Sequence, residues 1–421
     1  MLNVLRSSWP LLLGMGLLMV GNGLQGTLLG VRGSIEGFST FEMSVIMSAY
    51  FLGFLGGSRR APEMIRRVGH VRVFAALGSF ISAILILYPT ITDPWVWVGL
   101  RVLIGFCFSA VYVTAESWLN NAATNETRGQ SLSLYMIVQM LGIISAQGIV
   151  VLGDPSGFVL FVVPSVLVSI SFAPILLAAN PTPAFETTKP MSLRALYTAS
   201  PLGCIGMFLL GGIFSAQFGM ASVYGTQAGL SVPEISLFIA TIYVGGLVVQ
   251  YPIGWISDRV DRRILICALA LVGAAATATG ATLGHVYVVL LGVGFVIGGV
   301  SNPLYALLIA YTNDYLQRED MAAASGGLLF INGVGAIAGP VTTGWAMGLI
   351  GPAGFWVFMM VLTLLLGVYA LYRMTQRPAP SADESSAYIK VLPTASPVAL
   401  EAAQEWAVEQ DEAGEAPQDA A

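Results

Sequence analysis

Residues 254–263 have the sequence Gly-Trp-Ile-Ser-Asp-Arg-Val-Asp-Arg-Arg, a charged segment between apolar runs at about 233–256 and 264–283. Each run has the roughly 20 residues that an α-helix needs to cross the hydrocarbon core of a bilayer. Asp258 stands where the first run ends, and three arginines follow it. The pattern predicts two membrane-spanning helices joined by a short basic turn at the membrane surface.

Ten further apolar runs of similar length flank this pair. The chain has 421 residues, of which 56% are hydrophobic and 10% charged, whereas soluble domains have roughly 25% charged residues. This composition excludes an ordinary soluble enzyme, and the runs are too long for the alternating strands of a membrane β-barrel. We therefore expect an all-α membrane protein with twelve spans, at about 9–31, 41–60, 72–90, 95–119, 128–152, 157–179, 200–224, 233–256, 264–283, 286–312, 322–346 and 353–374.

The basic residues lie almost entirely on one side of these spans. That side holds 16 of the 18, the opposite loops hold only Arg32, and Arg101 falls within span 4. Because loops rich in Lys and Arg stay in the cytoplasm, we expect a multi-pass membrane protein with both termini cytoplasmic. Nine acidic residues and one basic residue after Arg377 give the tail a charge of −8, which leaves +3 for residues 1–377. The balance indicates no nucleic-acid partner; the expected surroundings are the lipid bilayer.

The two halves resemble each other at a shift of 192–193 residues. Six spans per half give the halves the same orientation, so an axis along the membrane normal would relate them. The matching residues are Gln25 with Gln217, Tyr50 with Tyr243, Gly53 with Gly246, Gly105 with Gly298, Tyr112 with Tyr305, Gln139 with Asn332 and Gly142 with Gly335.

Composition sets the domain boundaries. Residues 1–179 and 200–377 are predicted to form two six-helix bundles, and the proline-containing stretch 180–199 a cytoplasmic linker. The acidic tail, 378–421, has few large apolar residues and is predicted to be disordered. Within it, Ser396-Pro397 also fits the start of a short helix to about Glu409.

Two parallel six-span halves with a cytoplasmic linker resemble the major facilitator superfamily over essentially all of residues 5–375. Residues 254–263 are similar to the family's signature G-x-x-x-D-R-x-G-R-R, with Asp261 where glycine is usual. In the matching first-half stretch, 62–72, Arg66 replaces the aspartate. The resemblance implies a fold of twelve transmembrane helices in two pseudo-symmetric bundles, and a secondary transporter working by alternating access.

Further motifs fit this family. The run Arg101-Val-Leu-Ile-Gly105 resembles a pattern associated with proton-linked members, and Gly335 to Gly339-Pro340 resembles the family's antiporter signature, which belongs in span 5. Residues 115–120, Ala-Glu-Ser-Trp-Leu-Asn, are similar to the YcaD-like branch of bacterial facilitators, a resemblance that implies a location in the bacterial inner (cytoplasmic) membrane. These glycines and Pro340 are interpreted as helix-packing positions.

Polar side chains inside spans are the candidate substrate contacts. A charge at the bilayer centre costs at least about 2.5–3.5 kcal/mol, so Arg101 is expected to face a central cavity, near Gln25 and with Glu42 as a candidate acidic partner. Snorkelling of Arg101 and interhelical hydrogen bonding by the other polar residues are the alternatives. The predicted cavity residues are Arg101, Gln25, Gln217, Asn22, Gln139, Asn332, Tyr243 and Asn302.

The charged turns are interpreted as a gate. A glycine allows two helices to approach, an aspartate suits a helix end, and arginines bind lipid surface or carboxylates of the other half. Glu116, near the cytoplasmic end of span 4, is expected to pair with gate arginines such as Arg259, or else to carry a proton. The gate residues are Gly254, Asp258, Arg259, Arg262, Arg263, Arg67, Gly69, Arg72 and Glu116.

Other classes of function stay open as alternatives. Methionines at i,i+4 spacing could bind copper, although methionine is also common filler in apolar helices. A facilitator fold kept as an assembly factor or sensor is a second alternative. An enzyme is not expected, because the only lysines are Lys189 and Lys390 and neither follows a glycine as in a Walker A motif. We predict a monomeric secondary transporter of a small organic solute, coupled to protons, with no cofactor and no resident metal.

Overall fold

The computed structural model describes residues 2–122, 125–177, 191–376, 396, 398–400, 403–404 and 406, a part of the chain that contains helices and no strand. The helices in chain order are α1 (Leu2–Ile35), α2 (Thr40–Val68), α3 (His70–Thr90), α4 (Pro94–Ala122), α5 (Asn125–Val150), α6 (Val159–Leu177), α7 (Leu193–Ala199), α8 (Pro201–Ser215), α9 (Ala221–Gln227), α10 (Val232–Ser257), α11 (Arg262–Leu283), α12 (Tyr287–Asn313), α13 (Arg318–Ile350) and α14 (Ala353–Met374).

These helices match the predicted spans. Span 7 consists of α8, a π-helical turn at Ala216–Met220, and α9, which follow one another without a break. Within the described residues, eleven helices are long and apolar enough to cross a membrane. The sixth predicted span corresponds to α6, whose apolar stretch Val159–Pro174 is shorter. The all-helical membrane architecture is confirmed, while the count of twelve full-length spans is reached only if this shorter helix is included.

The second helix of each half begins with the same capping structure. Glu42 Oε2 accepts hydrogen bonds from the backbone N–H of Ser39 at 2.7 Å and from its hydroxyl, and Glu234 binds Ser231 in the same way. A capping box of this kind satisfies backbone donors that the first helical turn leaves free. Glu42 is therefore held at the start of α2, and its predicted pairing with Arg101 is wrong.

Glycines bring the same helix pairs together in both halves. A Cβ atom at Gly105 on α4 would lie 2.0 Å from the carbonyl oxygen of Tyr50 on α2. A Cβ at Gly298 on α12 would lie 1.9 Å from the carbonyl oxygen of Ile242 on α10. Equivalent glycines thus allow backbone-to-backbone contact in each bundle, as expected for small residues at membrane helix interfaces.

The Gly-Pro stretch of α13 makes the corresponding contact with α8. Cβ atoms at Gly335 and Gly339 would each lie 2.0 Å from α8, from the Phe208 carbonyl oxygen and the Ser215 Oγ respectively. Pro340 continues the same helix. This stretch is a packing surface within the second half, which accounts for its glycines.

Substitution of the packing glycines should destabilise the fold, and each half supplies a matched control. Gly105→Ala and Gly298→Ala should each cost about 1–3 kcal/mol, because the new methyl group would meet backbone that cannot move aside easily. Gly99 and Gly292, six residues earlier on the same helices, have open space where a Cβ would be. Gly99→Ala and Gly292→Ala should therefore keep the wild-type midpoint of thermal unfolding in detergent. Equal midpoints for all four variants would contradict the close packing.

The alternating helices place their turns at two ends of the bundle. One end, here called the basic end, includes the turns at Gly69 and at 258–261 and the close of α12; the other, the opposite end, includes Ser39, Ser231 and Gly351. Gly69 has φ +83°, a conformation that favours glycine, and it joins α2 to α3.

The two halves touch at the opposite end. A Cβ at Gly30 on α1 would lie 2.0 Å from the Ser222 Oγ on α9, and a Cβ at Gly344 on α13 would lie 2.3 Å from the Ser44 Cβ on α2. Neither approach leaves room for a solute. The opposite end is therefore closed in this structure.

The linker and the tail both contain ordered parts. Residues 193–199 of the predicted linker form α7, while 180–190 lie outside the described residues. In the tail, residues 398–400, 403, 404 and 406 have helical backbone, and Leu400 is buried. The prediction of disorder is wrong for these residues, which fall within the alternative helix from Ser396 to about Glu409. The other tail residues lie outside the described part.

Candidate functional site

A polar cavity lies between the two halves. Its first-half wall comes from α1, α2, α4 and α5, and its second-half wall from the π-helical turn, α9, α10 and α12. Seven of the eight predicted cavity residues line it together. The polar and aromatic side chains of the wall include Asn22, Gln25, Tyr50, Phe51, Arg101, Gln139, Gln217, Phe218, Tyr243 and Asn302.

Arg101 is the charged side chain of this wall. It is 3% exposed, its Nη1 donates to Gln25 Oε1 at 2.7 Å, and its Nη2 lies 3.5 Å from the Met47 sulfur. Its guanidinium also stacks over the Tyr50 ring, 4.7 Å from the centroid. Its Nε has no hydrogen-bond partner among the described residues, and none of the ion pairs between them includes Arg101. The site thus holds a buried positive charge with neutral neighbours.

A chain of hydrogen bonds runs from Arg101 toward the basic end. Gln25 Nε2 donates to Asn22 Oδ1 at 3.0 Å, and Asn22 Nδ2 donates to the Tyr112 hydroxyl at 3.0 Å. The Tyr112 hydroxyl in turn lies 3.4 Å from the Met19 sulfur. Because each amide is oriented by its neighbour, a movement of Arg101 would change the hydrogen bond at the Tyr112 hydroxyl.

Among the residues that the structure describes, the second-half wall has amide groups and no charged side chain. Gln217 stands in the π-helical turn, where its Oε1 accepts from the Ser301 hydroxyl at 3.0 Å and its Nε2 approaches the Ile297 carbonyl at 3.4 Å. Asn302 donates to the Gly298 carbonyl at 3.2 Å. π-Helical turns are frequent at functional sites, and this one aims Gln217 and Phe218 at the cavity.

Asn332 lies elsewhere. Its Nδ2 donates to the Met207 carbonyl at 3.0 Å, which binds α13 to α8, and it is not among the residues that line the cavity. Its prediction as a cavity residue is corrected accordingly. The repeat matches Asn332 with Gln139, but the Asn332 amide forms a hydrogen bond between two helices. Interhelical hydrogen bonding was the alternative that the sequence left open.

The signature turn at 254–263 is organised around Arg262. Its Nη1 lies 2.5 Å from Asp314 Oδ1 at the end of α12, and both side chains are 4% exposed. Asp258, which is 48% exposed, lies 3.9 Å from Arg262 Nη2. The tight contact of the signature is therefore an ion pair within the second half, with an acid that the sequence motif does not contain.

The other residues of this turn make local contacts. Asp261 caps α11 and binds Arg263, at 2.7 Å from its Nη2. Partial burial raises the pKa of Asp261, but the hydrogen bonds and charge of Arg263 outweigh it, so the pKa lies below its ordinary value. Arg259 stacks on Trp255, 4.0 Å from the ring centroid, and Gly254 is buried in α10.

The matching first-half turn is exposed and looser. Arg67 Nε lies 2.6 Å from Glu63 Oε1, and Arg66 binds the other oxygen of the same carboxylate. Arg72 is exposed at the start of α3. One glutamate thus bridges two arginines where the second half has a buried pair.

Glu116 has a different partner from the one predicted. It is fully buried on α4, and its Oε2 accepts a hydrogen bond at 2.7 Å from the backbone N–H of Ser396 in the tail. Its predicted pairing with Arg259 is wrong, because Arg259 lies in the turn after α10 and stacks on Trp255 of that helix. Oε1 of Glu116 has no hydrogen-bond partner among the described residues.

Several residues of the site were not selected from the sequence. Met47 and Met19 approach Arg101 and Tyr112 with their sulfurs, and Phe51 and Phe218 supply apolar walls. The tyrosines that recur in both halves could have indicated one of these residues, since Tyr112 is buried and belongs to the chain of hydrogen bonds from Arg101. The guanidinium beside the Met47 sulfur disfavours copper there, because it would repel a cation.

The fold and this site together define a class: a multi-pass membrane transporter of two related helical halves with a polar cavity between them. The sequence profile of the Major Facilitator Superfamily matches residues 11–232 and 203–403. The chain belongs to this superfamily, and it is a transporter rather than an enzyme.

Similar proteins agree with this assignment. An uncharacterized MFS-type transporter of Yersinia pestis (strain Pestoides F) is 27% identical over 345 residues, which cover 80% of this chain and 88% of that protein. The MFS-type transporter YcaD of Salmonella heidelberg (strain SL476) is 23% identical over 337 residues, covering 78% of this chain and 86% of YcaD. The resemblance to the YcaD-like branch is thereby confirmed.

Solved structures show the same fold. A crystal structure of a mutant of the nucleoside transporter NupG has a TM-score of 0.76 at 14% identity and covers 87% of this chain and 99% of that one. The D-xylose-proton symporter has a TM-score of 0.69 at 12% identity and covers 90% of this chain and 99% of that one.

Proposed function

We propose that this protein is a secondary active transporter that moves a small organic anion across the bacterial inner membrane, coupled to protons. The observation that supports this best is Arg101, a buried cation with no acidic partner among the described residues, on the wall of a cavity that both halves line. Residues 1–179 and 200–377 act as rocking bundles joined by the linker 180–199. The basic end and both termini face the cytoplasm, and a monomer suffices.

The charge of Arg101 favours an anionic solute. Removing an ion from water carries a penalty of several kcal/mol unless an opposite charge compensates it. Gln25, Met47 and Tyr50 are neutral, so the compensation around Arg101 is incomplete until an anion enters. The planar guanidinium suits a carboxylate, which it can bind with two parallel hydrogen bonds.

The remainder of the cavity favours a planar organic body. Phe218 and Tyr243 stack with centroids 4.9 Å apart, and Phe51 and Tyr50 line the cavity from the first half. Aromatic surfaces of this kind bury flat apolar groups. With a single cation on its wall, the cavity does not suit polyanions.

Proton coupling requires a group other than Arg101, because a guanidinium does not titrate in the physiological range. Glu116 is a fully buried carboxylate, and Tyr112, at the end of the hydrogen-bonded chain from Arg101, precedes it by four residues on the same helix. Residues four apart lie on one helical face. We therefore assign the proton to Glu116 and the communication with the solute to Gln25, Asn22 and Tyr112. The similarity to a D-xylose-proton symporter supports the use of protons.

A binding screen with matched charges tests the solute class. Purified protein is heated with sets of equal shape and different charge, such as benzoate, benzamide and benzylamine, together with the corresponding aliphatic sets. A ligand that binds the folded state raises the unfolding temperature. We expect at least one anion to raise it above its amide and amine, and Arg101→Met to abolish that difference. Amides or amines that stabilise as well as the anions in every set would overturn the anionic class.

Transport itself is tested in vesicles. The anion that stabilises the protein best should drive proton movement across proteoliposomes, and Glu116→Gln should remove the proton movement. An assembly factor or sensor would bind the anion without any solute-driven flux, so this measurement separates transport from the alternatives. Flux of the anion without protons would contradict only the coupling.

A further inference from the structure

Part of the acidic tail packs into the basic end of the bundle. This part, here called the C-terminal segment, comprises Ser396, residues 398–400, Ala403 and Gln404. Ala399, Leu400, Ala403 and Gln404 are each at most 4% exposed, and the first three belong to the hydrophobic core of the molecule. Burial of this kind is unexpected for an acidic, alanine-rich tail.

Both halves hold the C-terminal segment. Its Ser396 N–H donates to Glu116 on α4 at 2.7 Å, and its Gln404 side chain donates to the hydroxyl of Ser325 on α13. Just beyond it, Trp406 packs over Gly129 on α5, where a Cβ would lie 2.6 Å from the indole ring. A segment bound to α4, α5 and α13 bridges the two bundles.

At the basic end the segment lies between the two bundles, because it contacts α4 and α5 of the first half and α13 of the second. The opposite end is closed by Gly30 against Ser222 and by Ser44 against Gly344. If the bundles rock as proposed, closure at one end accompanies an opening at the other, and here the basic end contains the C-terminal segment. The contact with Glu116 also gives one oxygen of this buried carboxylate a hydrogen-bond donor, which water or a proton would otherwise have to replace.

We propose that the C-terminal segment is an intramolecular plug, which occupies the space between the two bundles at the basic end, binds Glu116 and must leave before solute can pass. This inference rests on the proposed alternating access. Transport is then inhibited by the chain's own tail. The plug also competes with the proton for the Glu116 carboxylate.

Accessibility of a buried position measures the plug directly. Ser325→Cys places a thiol under Gln404, in a protein whose other cysteines are buried. Leu400→Glu puts a charge at a position that is 1% exposed and should expel the segment, whereas Leu400→Met keeps an apolar side chain of similar volume. We expect a soluble maleimide to react at least 10-fold faster with Ser325→Cys when Leu400→Glu is present, and at the unchanged rate with Leu400→Met.

A chain that ends at Ala395 provides the second test. It should show the fast labelling and a higher initial rate of solute uptake, and a synthetic peptide of residues 396–409 should reverse both effects. The same peptide with glutamate in place of Leu400 should not. Slow labelling in both the truncated chain and Leu400→Glu would overturn the plug, and fast labelling with unchanged uptake would overturn its inhibitory role. Labelling needs no transport, so failure of the plug is distinguishable from failure of the proposed function.

Discussion

Arg101→Ala is expected to abolish solute transport while leaving the protein folded in the membrane. The substitution removes the charge that attracts the anion and the donor that orients Gln25, so both binding and the hydrogen-bonded chain to Tyr112 are lost. The folded state should survive, because a buried charge without an acidic partner contributes little to stability. Uptake by proteoliposomes, normalised to protein that elutes as a single species, measures the effect.

Two further substitutions separate charge from shape. Arg101→Met keeps most of the side-chain volume and should also be inactive if charge is what matters. Arg101→Lys keeps the charge but cannot reach Gln25 and Met47 at once, so it should bind the anion more weakly by 10-fold or more. Arg60, which is exposed at the basic end of α2, provides the control, and Arg60→Ala should transport normally.

Full transport by Arg101→Ala would remove both the site and the coupling argument that is built on it. Transport that is lost together with the folded state would instead assign Arg101 a structural role. The methionine variant decides between these readings, since it retains the packing against Tyr50.

The fold could be predicted from the sequence because a membrane imposes two strong constraints. Each span needs an apolar run of a certain length, and each close helix contact needs a small residue. The repeat at 192–193 residues therefore placed Gly105 and Gly298 in equivalent contacts, which the structure shows at 2.0 and 1.9 Å from the facing carbonyl oxygens. The end of α2 was predicted less well, because the apolar run ends at about 60 whereas the helix continues through charged residues to Val68.

The cavity was predictable where burial of a polar group is expensive. That rule selected Arg101 and Gln25, which the structure places in direct contact. It could not distinguish amides that line a cavity from amides that join two helices, as Asn332 does. It also gave no reason to choose Met47, since a methionine that approaches a guanidinium looks like any other apolar residue in the sequence.

The sequence did not show which residues pair with one another when they lie far apart along the chain. Glu116 was expected to bind an arginine and instead binds the backbone of Ser396, 280 residues away. Arg262 was recognised through its motif, but Asp314 was not, because it lies outside the motif, 52 residues further on. Periodicity shows which residues are buried, whereas pairing depends on which helices meet.

Asp314→Ala is expected to destabilise the second half strongly. The Asp314 carboxylate lies 2.5 Å from Arg262 Nη1, and both side chains are 4% exposed. Removing one partner of a buried ion pair typically costs about 3–5 kcal/mol, because the other charge is left without compensation. Arg262 keeps hydrogen bonds to the Ala310 carbonyl and the Ser257 hydroxyl, so we expect the lower end of this range. The midpoint of thermal unfolding in detergent measures the loss.

Two comparisons make this prediction specific to the pair. Asp320→Ala removes an exposed acid from the nearby α13 and should change stability by less than about 0.5 kcal/mol. Combining Arg262→Met with Asp314→Ala removes both charges, and the double variant should be more stable than Asp314→Ala alone, since the buried guanidinium that lost its nearest carboxylate is also gone. If the double variant instead lost the sum of the two single effects, the residues would act independently. Arg262 would then be held in position by the Ala310 carbonyl of α12 and not by Asp314.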